Sequence, residues 1–156
     1  MLTELLTERC AQVTATDVAA AALDSARRRM ADAGCGEQVR FIRQSIDQTW
    51  PAGPFDLLVL SELGYYLSPD VLHDVLEREC PRLAPGATVV SAHWRHRVED
   101  YLMAGDEVNE VVAGITGMHA IGRYRDADVA IDVFDTSDGR SVAARSGVPI
   151  PGAGSS

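Results

Sequence analysis

The chain has 156 residues, 46% of them hydrophobic, and a formal net charge of −9. That length and apolar content suit one domain with a real core. No apolar run approaches the ~18 residues of a membrane span, no secretory leader is read ahead of the first helix, and the acidic balance argues against a nucleic-acid backbone as the main partner.

In chain order, Leu2 to Cys10 is expected as a helix, with Leu2, Leu5, Leu6 and Cys10 on one face. Gln12 to Thr16 alternates as a short strand that ends at Asp17. Val18 to Met30 reads as an alanine-rich helix, with Asp24 four residues ahead of Arg28 and Gly34-Cys35-Gly36 as its stop. Val39 to Gln44 alternates as a second strand, and Ser45 to Pro54 is a polar loop containing Trp50-Pro51.

Phe55 and Leu57 to Leu60 then form an unalternating apolar run after a Gly-Pro break. Such a run suits a strand buried on both faces, as in a parallel sheet. It stops at Ser61-Glu62, followed by Gly64-Tyr65-Tyr66. Ligands of open α/β sheets sit at the carboxyl ends of the strands, so this stop marks the first place to look for chemistry. Pro69 to Leu83 is expected as a helix with Ser68 as N-cap. Ala87 to Ala92 is another buried strand, and His93 to Ala104 is irregular. Asp106 to Ile115 reads as a helix capped by Asp106, and His119 to Tyr124 and Ala127 to Asp135 as an antiparallel hairpin. The run from Ser137 to Ser156 is rich in Gly, Pro, Ser and Ala and is expected to be a flexible tail. Alternating strands and helices imply a parallel α/β sheet with right-handed crossovers.

Phe55-Asp56-Leu57-Leu58-Val59-Leu60-Ser61-Glu62-Leu63-Gly64-Tyr65-Tyr66-Leu67-Ser68 resembles the fourth-strand motif of class I S-adenosylmethionine-dependent methyltransferases, in particular the NodS-like (nodulation protein S-like) branch. Trp50-Pro51, Ala84-Pro85-Gly86-Ala87 and Ala92-His93-Trp94-Arg95-His96 match in the same order, and the resemblance covers roughly Leu2 to Asp135. It implies a Rossmann-like sheet in the family order 3-2-1-4-5-7-6, closed by the terminal antiparallel hairpin. In the family the first strand ends in an acidic, glycine-rich turn. In this branch the turn leads into a run like Leu2-Thr3-Glu4-Leu5-Leu6, and here Met1 stands at the junction. The expectation is therefore an N-terminally truncated domain over residues 1–136, without the first strand and its glycine turn, followed by the tail over 137–156. Met1 is then an internal methionine of a longer reading frame, or the chain is a truncated relic.

The resemblance implies S-adenosyl-L-methionine as cofactor and a small-molecule methyl acceptor, with an amine as one option. Asp17 is placed to accept hydrogen bonds from the ribose hydroxyls, and Val18 to pack on adenine; Asp17 also suits a helix cap. Ser45, Ile46 and Asp47 fall in the loop that holds the adenine in this family, or form an ordinary polar loop. Ser61 and Tyr65 would face the methionine part of the cofactor, with Glu62 as the first candidate base and His93 as the second. Tyr65 and Tyr66 offer ring faces to the cationic sulfonium; the alternative is a helix-start carboxylate under core tyrosines. His93 and His96 have the H-x-x-H spacing, but no third ligand is evident, so no metal is expected. Cys10, Cys35 and Cys80 are odd in number and scattered, as inert reduced thiols of a bacterial cytoplasm would be. Two further readings compete: a non-catalytic remnant or partner-binding module that completes its sheet with another chain, and a nicotinamide-dependent oxidoreductase, for which no hydride site is visible.

Overall fold

A computed structural model describes residues 2–140 and 146–147. Contacts divide the chain into two compact units, Met1–Trp50 and Pro51–Ser156.

The first unit holds α1 (Leu2–Thr7), β1 (Val13–Asp17), α2 (Ala20–Asp32) and β2 (Val39–Arg43). Val13, Ala15, Val39 and Phe41 alternate with polar residues, as half-buried strands require. The two strands pair in parallel, from Val13 opposite Val39 to Asp17 opposite Arg43. Helix α2 crosses between them and buries Leu23, Ala26 and Met30, a spacing of three and four residues that lies along one helix face. Gly34 has φ +72° and ends the helix in the left-handed conformation that glycine adopts without strain. The helix begins two residues later than the expected Val18. Its N-cap is Ala19 rather than Asp17, and Asp17 Oδ1 instead accepts from Ala19 N–H at 2.8 Å, in a turn ahead of the helix.

The second unit holds β3 (Leu57–Ser61), α3 (Pro69–Glu79), β4 (Thr88–Trp94), α4 (Gly105–Ala113), β5 (His119–Arg125) and β6 (Val129–Asp135). Its sheet has the order β3-β4-β6-β5. β3 and β4 are parallel, and β6 is antiparallel to both β4 and β5. The order β3-β4-β6-β5 matches the 4-5-7-6 part of the expected sheet order, and in the first unit the β1-β2 pair matches its 2-3 part.

Helix α3 is capped as its sequence predicts, with Ser68 Oγ accepting from Val71 N–H. It stops at Glu79, and Cys80–Arg82 continues as a 3₁₀ turn. Pro81 lacks the N–H that another α-helical turn needs. The core is built on Leu72, Val75, Leu76, Val89, Val108, Val112 and Phe134, all 2% exposed or less.

Three local expectations are corrected. β4 runs on through His93 and Trp94, because both pair with β6, at Ala130 and Val129. Helix α4 is not capped by Asp106: Glu107 Oε2 accepts from Ala104 N–H at 2.5 Å, and Asp106 pairs with Arg95 at 2.8 Å. β3 is not buried throughout; only Leu60 is, while Leu57 to Val59 are half-buried. The physical reason is that β3 has a strand ladder on one side only. The expected tail falls largely on residues 141–145 and 148–156, which lie outside the described residues. No helix is long and apolar enough to cross a membrane, among the described residues.

Candidate functional site

In the first unit, the carboxyl ends of β1 and β2 bring Asp17 and Arg43 to adjacent positions. Arg43 Nε donates to Val18 O at 3.0 Å, which ties down the backbone just after Asp17. Asp17 Oδ1 is used by Ala19 N–H, while Oδ2 has no protein partner among the described residues. The residue is exposed, as is Val18 at 58%. A carboxylate with one free oxygen at the tip of a parallel strand can accept from a hydroxyl of a ligand. After β2, Gln48 N–H donates to Ser45 O at 3.3 Å, and Trp50 Nε1 donates to Ile46 O at 2.8 Å. Ser45 and Ile46 are half-buried in this turn, while Asp47 is exposed.

In the second unit the site is built at the carboxyl ends of β3 and β4. The ladder continues one residue past β3, as Glu62 N–H donates to Ala92 O at 3.1 Å. Half-buried Ser61 ends the strand. Glu62 then adopts φ +57°, a conformation that is strained for a residue with a Cβ and is found where surroundings enforce it. The enforcing contacts are on its carboxylate. Oε1 accepts from Trp94 N–H at 2.8 Å, and Oε2 from the Tyr65 hydroxyl at 2.5 Å. The side chain thus bridges the ends of both strands and still faces solvent. Burial, and then the bond to Glu62, hold the Tyr65 phenol well above its ordinary range. It therefore stays protonated and donates.

Under this loop lies a buried polar cluster. Gly64 N–H donates to His93 Nε2 at 3.3 Å, and His93 Nδ1 is 3.1 Å from Asn109 Oδ1, which also accepts from Ser91 Oγ at 2.6 Å. Because Nε2 accepts, the network assigns the ring proton to Nδ1. His93 is fully buried, and desolvation pushes its pKa below the ordinary value, against the raising effects of Asn109 and Glu62. Both ring nitrogens are engaged. His93, the second candidate base, thus contacts the loop through Gly64 N–H. His96 points elsewhere and meets Asp128 at 2.8 Å, with both side chains exposed. Among the described residues no cluster of His, Cys, Asp and Glu is arranged to hold a metal. Cys80 is buried, and desolvation pushes its thiol up to about 12, so it is no nucleophile.

A family model described as a methyltransferase domain matches residues 1–86. The chain belongs to the methyltransferase domain family. No match was found among curated proteins. Among solved structures, a Pseudomonas syringae protein assigned as a methyltransferase is similar at 29% identity and TM-score 0.71, over 86% of this chain and 79% of that one. The N-methyltransferase NodS from Bradyrhizobium japonicum is similar at 23% identity and TM-score 0.75, over 87% and 79% of the two chains. The same protein in complex with S-adenosyl-L-homocysteine gives 22% identity and TM-score 0.71, over 85% and 70%. The expected methyltransferase fold is thus borne out.

Three residues of this candidate site were not anticipated. Asn109 stands between Val108 and Val112 on a helix face that is otherwise apolar; that polar intruder was its visible signal. Ser91 had the same signal inside the apolar run of β4. Tyr101 stacks on Tyr65 with ring centroids 3.8 Å apart, and nothing periodic in residues 95–104 announces it.

The neutral state of His93 has a measurable consequence. Below its ordinary pKa of about 6.5, the unfolded chain takes up a proton that the folded chain resists. The contribution of His93 is therefore intact above about pH 6.5 and lost as the pH falls. Thermal unfolding should show a midpoint that declines between about pH 7 and pH 5.5, with a shallower decline in His93→Gln. An identical slope in the variant would remove His93 as the cause.

Proposed function

We propose that this chain is an S-adenosylmethionine-dependent methyltransferase acting on a small-molecule acceptor, with an amine nitrogen as the receiving atom. The observation that carries the reading is Glu62, an exposed carboxylate fixed in a strained backbone conformation at the tip of β3, within a chain of the methyltransferase domain family. A likeness to an N-methyltransferase supports nitrogen as the acceptor.

Asp17 fits the cofactor's ribose by its free oxygen, and exposed Val18 offers an apolar surface for adenine. The turn over Ser45, Ile46 and Asp47 is assigned to the adenine edge, and Ser61 and Tyr65 to the methionine end. When bound, S-adenosylmethionine supplies an electrophilic methyl group whose departure leaves the bonding electrons on sulfur. The chain's own task is alignment, exclusion of water and removal of a proton. An amine that arrives as its ammonium gives one proton to Glu62, and the freed lone pair forms the new nitrogen–carbon bond. Trp94 N–H and Tyr65 O–H hold the two carboxylate oxygens in place meanwhile.

Calorimetric titration of the 156-residue chain with S-adenosylhomocysteine tests the reading. One-site binding is expected, weakened roughly tenfold to a hundredfold in Asp17→Ala, as loss of one or two hydrogen bonds to a charged group implies. Unchanged affinity in Asp17→Ala would sink the ribose assignment. A second reading, a module that completes its sheet with another strand, is favoured by β1 and β3, which each carry a ladder on one side only. A folded chain that ignores S-adenosylhomocysteine would favour this second reading.

A further inference from the structure

We propose that Tyr66 and Tyr101, beside Glu62, form a cation-binding wall that selects an acceptor carrying an ammonium group. This deepens the methyltransferase reading and rests on it for the acceptor's role. Tyr65 and Tyr66 are neighbours on a tight 3₁₀ turn over Gly64–Tyr66. Tyr65 is 1% exposed and Tyr66 is 56% exposed. The segment after β4 returns over this turn, with Leu102 N–H donating to Tyr65 O at 2.8 Å. That bond places Tyr101 flat on Tyr65, at 3.8 Å between ring centroids and an interplanar angle of 14°. Tyr66 stands across both rings at 5.2 Å, inclined by 69° to Tyr65 and 81° to Tyr101.

The charges around this corner have one sign. Glu62 bonds directly to Tyr65. The negative charges of Asp100 and Glu62 both act on the Tyr66 phenol, whose pKa is raised, first through its bond to Tyr101. The nearby cations of the same segment are already engaged, Arg95 by Asp106 and Arg97 by Glu107. Two electron-rich rings beside carboxylates that have no cation partner among the described residues attract a cation by ring quadrupole and by Coulomb attraction together. A neutral hydroxyl or thiol acceptor gains nothing from either. The wall therefore discriminates by charge, and its carboxylate is the same group that takes the proton.

Two cations are candidates for the wall, the acceptor's ammonium and the cofactor's sulfonium. The probe is tetramethylammonium chloride, titrated into the 156-residue chain and followed by the ring resonances of the tyrosines. tert-Butanol serves as a neutral control of similar shape. Saturable binding of tetramethylammonium but not of tert-butanol is expected, weakened about 2-fold to 30-fold in Tyr66→Leu, the range that a cation–π contact supplies. Tyr66 is the variant of choice because its side chain is largely exposed; Tyr101→Phe should retain binding, since the ring survives. Equal binding of tert-butanol, no saturation, or no effect of Tyr66→Leu would overturn the wall. Repeating the titration with saturating S-adenosylmethionine separates the two cations. Persisting tetramethylammonium binding supports the acceptor assignment, and displacement by S-adenosylmethionine but not by S-adenosylhomocysteine overturns it in favour of the sulfonium. A chain that binds tetramethylammonium and ignores S-adenosylhomocysteine keeps the wall and overturns the cofactor reading.

Discussion

Gly105→Ala is expected to destabilise the protein by about 3 kcal/mol, the upper part of the range for overpacking. A Cβ at Gly105 would lie 2.3 Å from Trp94 O and 2.9 Å from His93 Cβ. The first of these is a backbone atom of β4, held in its ladder with Val129, so no rotamer change relieves the clash. Helix α4 must instead lift from the strand, and Asn109 would move away from His93 and Ser91. For a chain of this size the midpoint of thermal unfolding should drop by roughly 6–12 °C. Gly114→Ala is the control. It sits at φ −80°, a new Cβ would come no nearer than 3.5 Å to a neighbour, and a small gain of up to about 1 kcal/mol is expected from the stiffer unfolded chain. Calorimetric unfolding of both variants checks the pair. Similar midpoints would show that α4 approaches β4 less closely than described.

Glu62→Gln is expected to lower the rate of methyl transfer to an amine by ~10²–10⁴-fold, the usual contribution of a positioned base. Glutamine has the same shape, so its oxygen can still accept from Trp94 N–H and its amide can still meet the Tyr65 oxygen. The loop should keep its form, and affinity for S-adenosylhomocysteine should stay within about threefold of the parent. The substitution thus removes the proton acceptor without dismantling the site. Neighbouring phenols cannot replace it, because Tyr65 and Tyr66 are both held above their ordinary pKa. Initial rates and calorimetry on the same preparation decide the matter. A rate within tenfold of the parent would remove Glu62 as the base, and a joint loss of rate and cofactor affinity would recast it as structural.

The positions of Asp17, Ser61 and Glu62 followed from periodicity, because an apolar strand must end where polar residues begin. The sheet order came from the family resemblance, and the strand ladders agree with it. The cap of α3 was legible for a local reason: Ser68 and Pro69 act on their own helix. The caps of α2 and α4 were not. Asp17 and Asp106 carry the right side chains, but one turns toward Ala19 and the other meets Arg95, eleven residues away.

The sequence alone determined which residues could carry charge to the strand tips, since register and burial follow from alternation over a few neighbours. Which of those groups is buried and which stays exposed was decided only by tertiary structure. His93 and Glu62 looked alike as candidate bases. One is buried and bonded at both nitrogens, the other is exposed and anchored on both oxygens. Apart from the bond to Tyr65, that difference arises from contacts across 16 to 32 residues, with Asn109 on one helix and Trp94 on the next strand. Tyr101 is the same case: an unremarked residue in an irregular segment becomes part of the site because the Leu102 N–H finds the Tyr65 carbonyl. Local pattern fixes where a side chain starts, and long-range packing fixes whether water, a proton or a ligand can reach it.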